Sequence, residues 1–177
     1  FWKNTPTSDQ DDQALAFNAL NETQALIWFN PDGTILDANE NFLAAMGYEL
    51  DEIKGEHHRI FVASEFADGS DYKTFWNNLR LGKSSRDDFS RIKKNGDTIW
   101  LHASYNPIFD EDGKVIKVLK LAYDVTESKL RDLSASVQID AIWSSYAVIE
   151  FQPDGTILDA NQVFLDTMGY KLDEIKN

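Results

Sequence analysis

The 177-residue sequence contains no cysteine. This removes disulfide frameworks, thiolate metal sites and cysteine nucleophiles, and it fits a reducing, cytoplasmic compartment. Positive charge is also scarce: 17 Lys and Arg stand against 30 Asp and Glu, a net charge of −13. A surface so acidic repels phosphate backbones and anionic lipid, so neither nucleic acid nor a membrane surface is an expected partner. Apolar runs are short, as in Ala25 to Phe29, and none approaches the roughly 20 residues a membrane helix needs. There is no HExxH or HxxxH pattern and no glycine-rich phosphate loop. Carboxylates are plentiful, but no spacing sets two of them in one cleft. The chain is therefore not expected to be an enzyme.

What is present is core-forming material and a repeat. Hydrophobic residues make up 42 % of the chain and aromatics 12 %, enough for a packed interior. FNPDGTILDANENFLAAMGYELDEIK at 29–54 returns as FQPDGTILDANQVFLDTMGYKLDEIK at 151–176, offset by 122 residues without a gap and identical at 20 of 26 positions. That period is too long for a solenoid and matches one small domain plus a connector. The expected organisation is an N-terminal segment at 1–14, a complete domain at 15–127, a helical linker at 128–146 and the opening part of a second copy at 147–177. With only its first hairpin and helices, that second part would leave an edge unpaired. It is expected to lean on the first domain or on another copy of the chain.

Periodicity supplies the elements. Residues 11–23 read as a helix, Ala25 to Phe29 and Thr34 to Asp37 as strands around the Pro31-Asp32-Gly33 turn, and 39–46 as a helix presenting Phe42, Leu43 and Met46. Short helical turns follow at 50–54 and 57–61, then a longer helix at 71–81 with Tyr72, Phe75, Trp76 and Leu79 on one side. Three strands complete the unit at 88–93, 98–108 and 114–124. In the second of these, Ile99, Leu101, Ala103 and Tyr105 share one face. The pattern predicts an α+β fold, a five-stranded antiparallel sheet with helices on one face. Residues 128–146 contain no Pro or Gly, and their apolar Leu130, Leu133, Val137, Ile139 and Ile142 predict one amphipathic connector helix.

PDGTILDAN, MGYELDEIKG, KNGDTIWLHASYNPIFDEDGKVIKV and AYDVTE, in that order, resemble the PAS family. The resemblance implies a small sensor that holds a ligand or cofactor between sheet and helices and signals through flanking helices, often as a homodimer. GEHHRIFV, SYNPI and VLKLAYDVTE, followed at once by a second copy, are similar to the tandem-PAS input regions of soluble methyl-accepting chemotaxis proteins of the energy-taxis and biofilm-dispersal type.

Resemblance also directs attention to particular residues. His58 occupies the place of the photoactive cysteine of light-oxygen-voltage domains, so a cysteinyl photocycle is excluded; a neutral imidazole there is able to ligate haem iron. His57 is the second candidate. Arg59 aligns with an arginine that contacts flavin phosphate, and Trp76 with a tryptophan of flavin-binding redox PAS domains. Arg91 and Leu101 stand where flavin binders carry ring-contacting asparagines, which argues against a flavin. The pocket is expected to draw on Phe42, Met46, His58, Phe61, Phe75, Trp76, Leu101 and Leu119, with haem, FAD or no cofactor inside. Asn39 and Asn161 read as helix caps. Asp124 and Thr126 would couple the sheet to an output helix. Two further readings compete with that of a ligand, oxygen or redox sensor. One is a dimerisation or interaction module without a cofactor; the other is the sensory part of a histidine kinase or cyclic-di-nucleotide enzyme.

Overall fold

A computed structural model describes residues 9–176. The N-terminal segment expected at 1–14 falls partly on residues 1–8, outside the described range; the first helix, α1, spans Asp9–Thr23. The chain divides into two compact units, one ending at Thr126 and the other beginning at Glu127.

The first unit runs β1 (Ala25–Phe29), β2 (Ile35–Ala38), α2 (Glu40–Met46), α3 (Leu50–Ile53), a 3₁₀ turn at His58–Phe61, α4 (Ser64–Ala67), α5 (Ser70–Arg80), β3 (Ser85–Ile92), β4 (Thr98–Phe109) and β5 (Val115–Asp124). The five strands form one sheet in the order β2-β1-β5-β4-β3, and every pairing in it is antiparallel. β4 alternates as its sequence predicts, burying Ile99, Leu101, Ala103 and Tyr105, because successive strand side chains point to opposite faces. Helix α5 buries Tyr72, Trp76 and Leu79 at helical spacing against the same face. The short helix α4 is an addition to the sequence reading; four residues are too few for periodicity to detect.

β5 corrects one expectation. The side chains it buries are Val115, Val118, Lys120 and Ala122, whereas Leu119 is paired with Trp28 and Asn106 on the other face. Apolar residues occur on both faces of this strand, so alternation alone did not reveal the inward one.

The second unit contains α6 (Thr126–Ser145, its first residue closing the first unit), the hairpin β6 (Ile149–Phe151) and β7 (Ile157–Ala160), and helices α7 (Gln162–Met168) and α8 (Leu172–Ile175). β6 and β7 form a two-stranded sheet. Helix α6 is continuous as expected, but it is not amphipathic. Ile139 and Ile142 lie about half a turn round from Leu130, Leu133 and Val137 at 3.6 residues per turn, and no residue of the helix is buried.

The repeated sequence builds the same local structure twice. Asn39 Oδ1 accepts from Phe42 N and Leu26 N, while its amide donates to Gln24 O and Asn21 O. Asn161 Oδ1 likewise accepts from Phe164 N and Val148 N, and its amide donates to Tyr146 O and Trp143 O. Each asparagine thus caps one helix, ties it to a strand and satisfies carbonyls at the end of the preceding helix. Replacing Asn39 by Ala removes the cap and leaves a strand N–H unpaired, so the urea midpoint is expected to fall by an amount equal to roughly 2–4 kcal/mol. A loss under about 0.5 kcal/mol, the level of an ordinary surface change, would show that water replaces these bonds.

Candidate functional site: a buried cationic cluster between sheet and helices

The 3₁₀ turn starts immediately after His57, whose side chain caps it. His57 Nδ1 accepts from Arg59 N at 3.1 Å, and Nε2 donates to Asp32 O at 2.8 Å. This closes the turn over Gly33, where an added Cβ would stand 2.6 Å from His57 Nε2 and 2.9 Å from Trp76. Gly33 also has a φ of 97°, in the region glycine tolerates best. Closure places His58 inward, with no solvent exposure at all.

His58 is clamped at both ring nitrogens. Nδ1 lies 2.9 Å from the Tyr72 hydroxyl on α5, and Nε2 lies 3.0 Å from the Tyr105 hydroxyl on β4. The imidazole also packs at 5.4 to 6.4 Å between ring centroids against Phe29, Phe61, Phe75 and Trp76. Arg91 on β3 donates through Nη2 to the Tyr105 oxygen at 3.1 Å and through Nη1 to Ser90 O at 2.7 Å. Lys120 on β5 places Nζ 5.1 Å from the Tyr105 ring centroid and 5.7 Å from that of Phe42. Arg91 is 5 % exposed and Lys120 1 %. Neither pairs with a carboxylate among the described residues, and Arg91 Nε is buried without any hydrogen-bond partner.

Burial, then the Arg91 and Lys120 charges, hold His58 well below its usual range, so the imidazole is neutral near pH 7. Burial also drives Lys120 down, an effect that Arg91 reinforces and the Tyr105 oxygen opposes. The same burial raises the Tyr72 phenol to about 12. At Tyr105 burial pushes upward, but the two cations outweigh it and hold the phenol below its ordinary value. With Tyr105 neutral, one arrangement uses every proton. Tyr105 donates to His58 Nε2, His58 Nδ1–H donates to Tyr72, and Tyr72 donates to His57 Nδ1 across 3.4 Å. Ionised Tyr105 would instead accept from His58 and reverse the tautomer.

Several of the residues predicted for the site come together here. His58, Trp76, Phe61, Phe75 and Phe42 surround the cluster, with Met46 and Leu101 in the core that encloses it. Arg59 does not join them; it is exposed and pairs with Asp68 at 2.6 Å. Tyr72, Tyr105 and Lys120 escaped sequence reasoning as site residues, and Arg91 entered it only as a departure from a flavin pattern. An iron ligand needs a free ring nitrogen, and both nitrogens of His58 are engaged, so this arrangement does not fit haem. Arg91 and Leu101 lack the amides a flavin ring would use. Among the described residues no group of three His, Asp or Glu side chains is placed to hold a metal ion.

At the end of β5, Val125 N donates to Trp100 O at 2.8 Å, Trp100 N donates to Thr126 Oγ1 at 2.8 Å, and Asp124 Oδ1 accepts from Thr126 N at 2.8 Å. Asp124 and Thr126 therefore fasten the first turn of α6 to β4.

A five-stranded sheet with helices on one face, enclosing a buried polar cluster and leading through its last strand into a helix, defines a small sensory α+β domain. Comparison with known proteins makes this specific: the family model described as PAS domain matches residues 24–127, and the chain belongs to the PAS domain family. Biofilm dispersion protein BdlA of Pseudomonas aeruginosa is 43 % identical over 152 residues, covering 86 % of this chain and 36 % of that protein. A blue-light-activated histidine kinase of Brucella anthropi is 31 % identical over 96 residues, covering 54 % of this chain and 19 % of the kinase. The chain thus spans little more than a third of the length of the first of these relatives and about a fifth of the second. Among solved structures, an RNA-binding light-oxygen-voltage receptor superposes with a TM-score of 0.63 at 20 % identity, over 78 % of this chain and 41 % of that one. A PAS domain from Colwellia psychrerythraea gives 0.56 at 18 %, over 68 % and 99 %; both describe the fold alone. No described helix is long and apolar enough to cross a membrane.

The neutral state of His58 has a measurable consequence. Unfolded, the imidazole takes a proton near pH 6.5; folded, it takes one only well below that. The unfolded state therefore gains a proton first, and stability falls as pH drops below about 6.5 by up to roughly 1.4 kcal/mol per pH unit. His58→Gln should lose this component, so the difference between wild-type and variant urea stabilities should change with pH below 6.5 and be constant above it. Parallel profiles would place the titration elsewhere.

Proposed function

We propose that the chain is part of the signal-input region of a cytoplasmic receptor of the chemotaxis and biofilm-dispersal type. In this reading residues 15–127 form the sensing domain, α6 is the output lever, and residues 147–177 open a second, tandem domain. The domain detects a small ligand, performs no catalysis, and works as a homodimer. The observation that carries the reading is the buried cluster of His58, Tyr105, Arg91 and Lys120, a costly set of groups for a protein to hold in its core. Two of its members sit on β4 and β5, the strands joined to α6 through Trp100, Asp124 and Thr126. A change of charge or hydrogen bonding around Tyr105 shifts β5, and β5 shifts the root of the helix. The likeness to biofilm dispersion protein BdlA supports a receptor of that type.

A second reading, an interaction module without a ligand, draws on the aromatic filling around His58. The two readings part at the lever. Inserting Gly-Gly after Ser136 in the full-length receptor is expected to abolish its response while ligand affinity stays within about twofold of wild type, because a helix interrupted by two glycines no longer moves as one body. A normal response after the insertion overturns the lever.

A further inference from the structure

Beyond the cluster itself, the edge of the sheet carries an opening that leads to it. β3 is an outer strand. Between it and the segment after the 3₁₀ turn lies a cleft of about 420 Å³, walled by Val62, Phe66, Phe89 and Ile92, with Arg91 in its lining. That volume falls in the range of small-molecule sites, roughly 300–1,000 Å³. The walls are apolar, and the cation among them is incompletely used. Arg91 Nη1 and Nη2 serve Ser90 and Tyr105, while Nε is buried with no partner. A buried guanidinium N–H left unpaired costs free energy that an incoming acceptor recovers.

We propose that this cleft binds a small organic monocarboxylate with an apolar body, its carboxylate pairing with the Arg91 guanidinium that helps to line the cleft and its hydrocarbon lying against Val62, Phe66 and Phe89. Several features of the site select that class. The core around Tyr105 holds two cations and no carboxylate among the described residues, so the charge of Arg91 has no anion beside it. The arginine fork donates well to a carboxylate's planar oxygens. Asp88 also lines the cleft. Its carboxylate, held by His102 Nδ1 at 2.6 Å, repels anions of higher charge, as does the net charge of −13 on the chain. Phosphate and dicarboxylates are therefore disfavoured. Ala63 and Thr98, both exposed, stand in the lining as well and give access from solvent.

The site rests on the sensory reading, for which it names the ligand class. The carboxylate would compete with the Tyr105 oxygen for Arg91 and thereby alter the charge beside Lys120 on β5.

Titration calorimetry of the chain at pH 7.5 with hexanoate and benzoate, and with hexanamide and benzamide as uncharged shape matches, tests it. Saturable one-to-one binding of the acids is expected, with the amides at least about tenfold weaker because a charge-assisted hydrogen bond is lost. Arg91→Gln should weaken hexanoate at least about tenfold and leave hexanamide unchanged. Ala63→Trp fills the cleft from its exposed rim without touching the core, and should abolish binding of all four probes in a chain with wild-type circular dichroism. Absence of saturable binding, equal affinity for acid and amide, or undiminished binding in Ala63→Trp overturns the site. Hydrogen exchange on the same samples separates this from the sensory reading. Bound hexanoate that leaves the amides of 124–130 unchanged upholds the carboxylate site and overturns the relay into α6. A protein that fails to bind any probe yet responds as a receptor upholds the relay and overturns the site.

Discussion

The phenolic oxygen of Tyr105 is where the helical layer and the sheet are joined. It meets His58 from the 3₁₀ turn and Arg91 from β3, and His58 in turn meets Tyr72 from α5. Lys120 from β5 lies over the Tyr105 ring. Few cores place two cations around one phenol, because taking each charge out of water costs several kcal/mol and like charges add to the cost. Hydrophobic side chains of equal volume would hold these elements together at least as well. Such a cluster is understood more readily as a functional feature than as a source of stability, and its members respond strongly to any change in the charge nearby.

Sheet order sets how the cluster is held. β5 is the middle strand, bonded to β1 on one side and β4 on the other, and its register places Lys120 opposite Ile27 and Tyr105. Hydrogen bonds on both sides fix the register of β5, so the strand is restrained along its axis as well as across it. β5 ends at Asp124, and Val125 and Thr126, the latter the first residue of α6, are tied to Trp100.

How far the sequence could be read depended on whether a feature was local. Turns at Pro31-Asp32-Gly33 and Asn95-Gly96, the alternation of β4, the asparagine caps and the helical spacing of Tyr72, Trp76 and Leu79 all express preferences of a few neighbouring residues, and the fold followed from them. His58 was also recognised, because its place after Gly55 is distinctive. The rest of the cluster was hidden for physical reasons. Tyr72 and Tyr105 occupy positions where an aromatic core residue is ordinary, and only the tertiary fold brings their hydroxyls to His58. Lys120 lies in VIKVLKLAY, where both faces of the strand are apolar, so its inward direction was set by pairing with β1 rather than by pattern. Arg91 looked like a missing flavin ligand, and only burial shows it to be a cation in the core.

The repeat separates scaffold from site. Both copies keep a bulged hairpin, the bulge falling at Trp28/Phe29 in one and at Glu150/Phe151 in the other. Each also keeps its asparagine cap and a left-handed glycine at the end of the following helix, Gly47 and Gly169. Yet 29–54 and its counterpart 151–176 contain none of His58, Tyr72, Arg91, Tyr105 or Lys120. What the two stretches share is the instruction for building a hairpin and two helices. What distinguishes this domain lies in residues 58–120, beyond the repeated stretch.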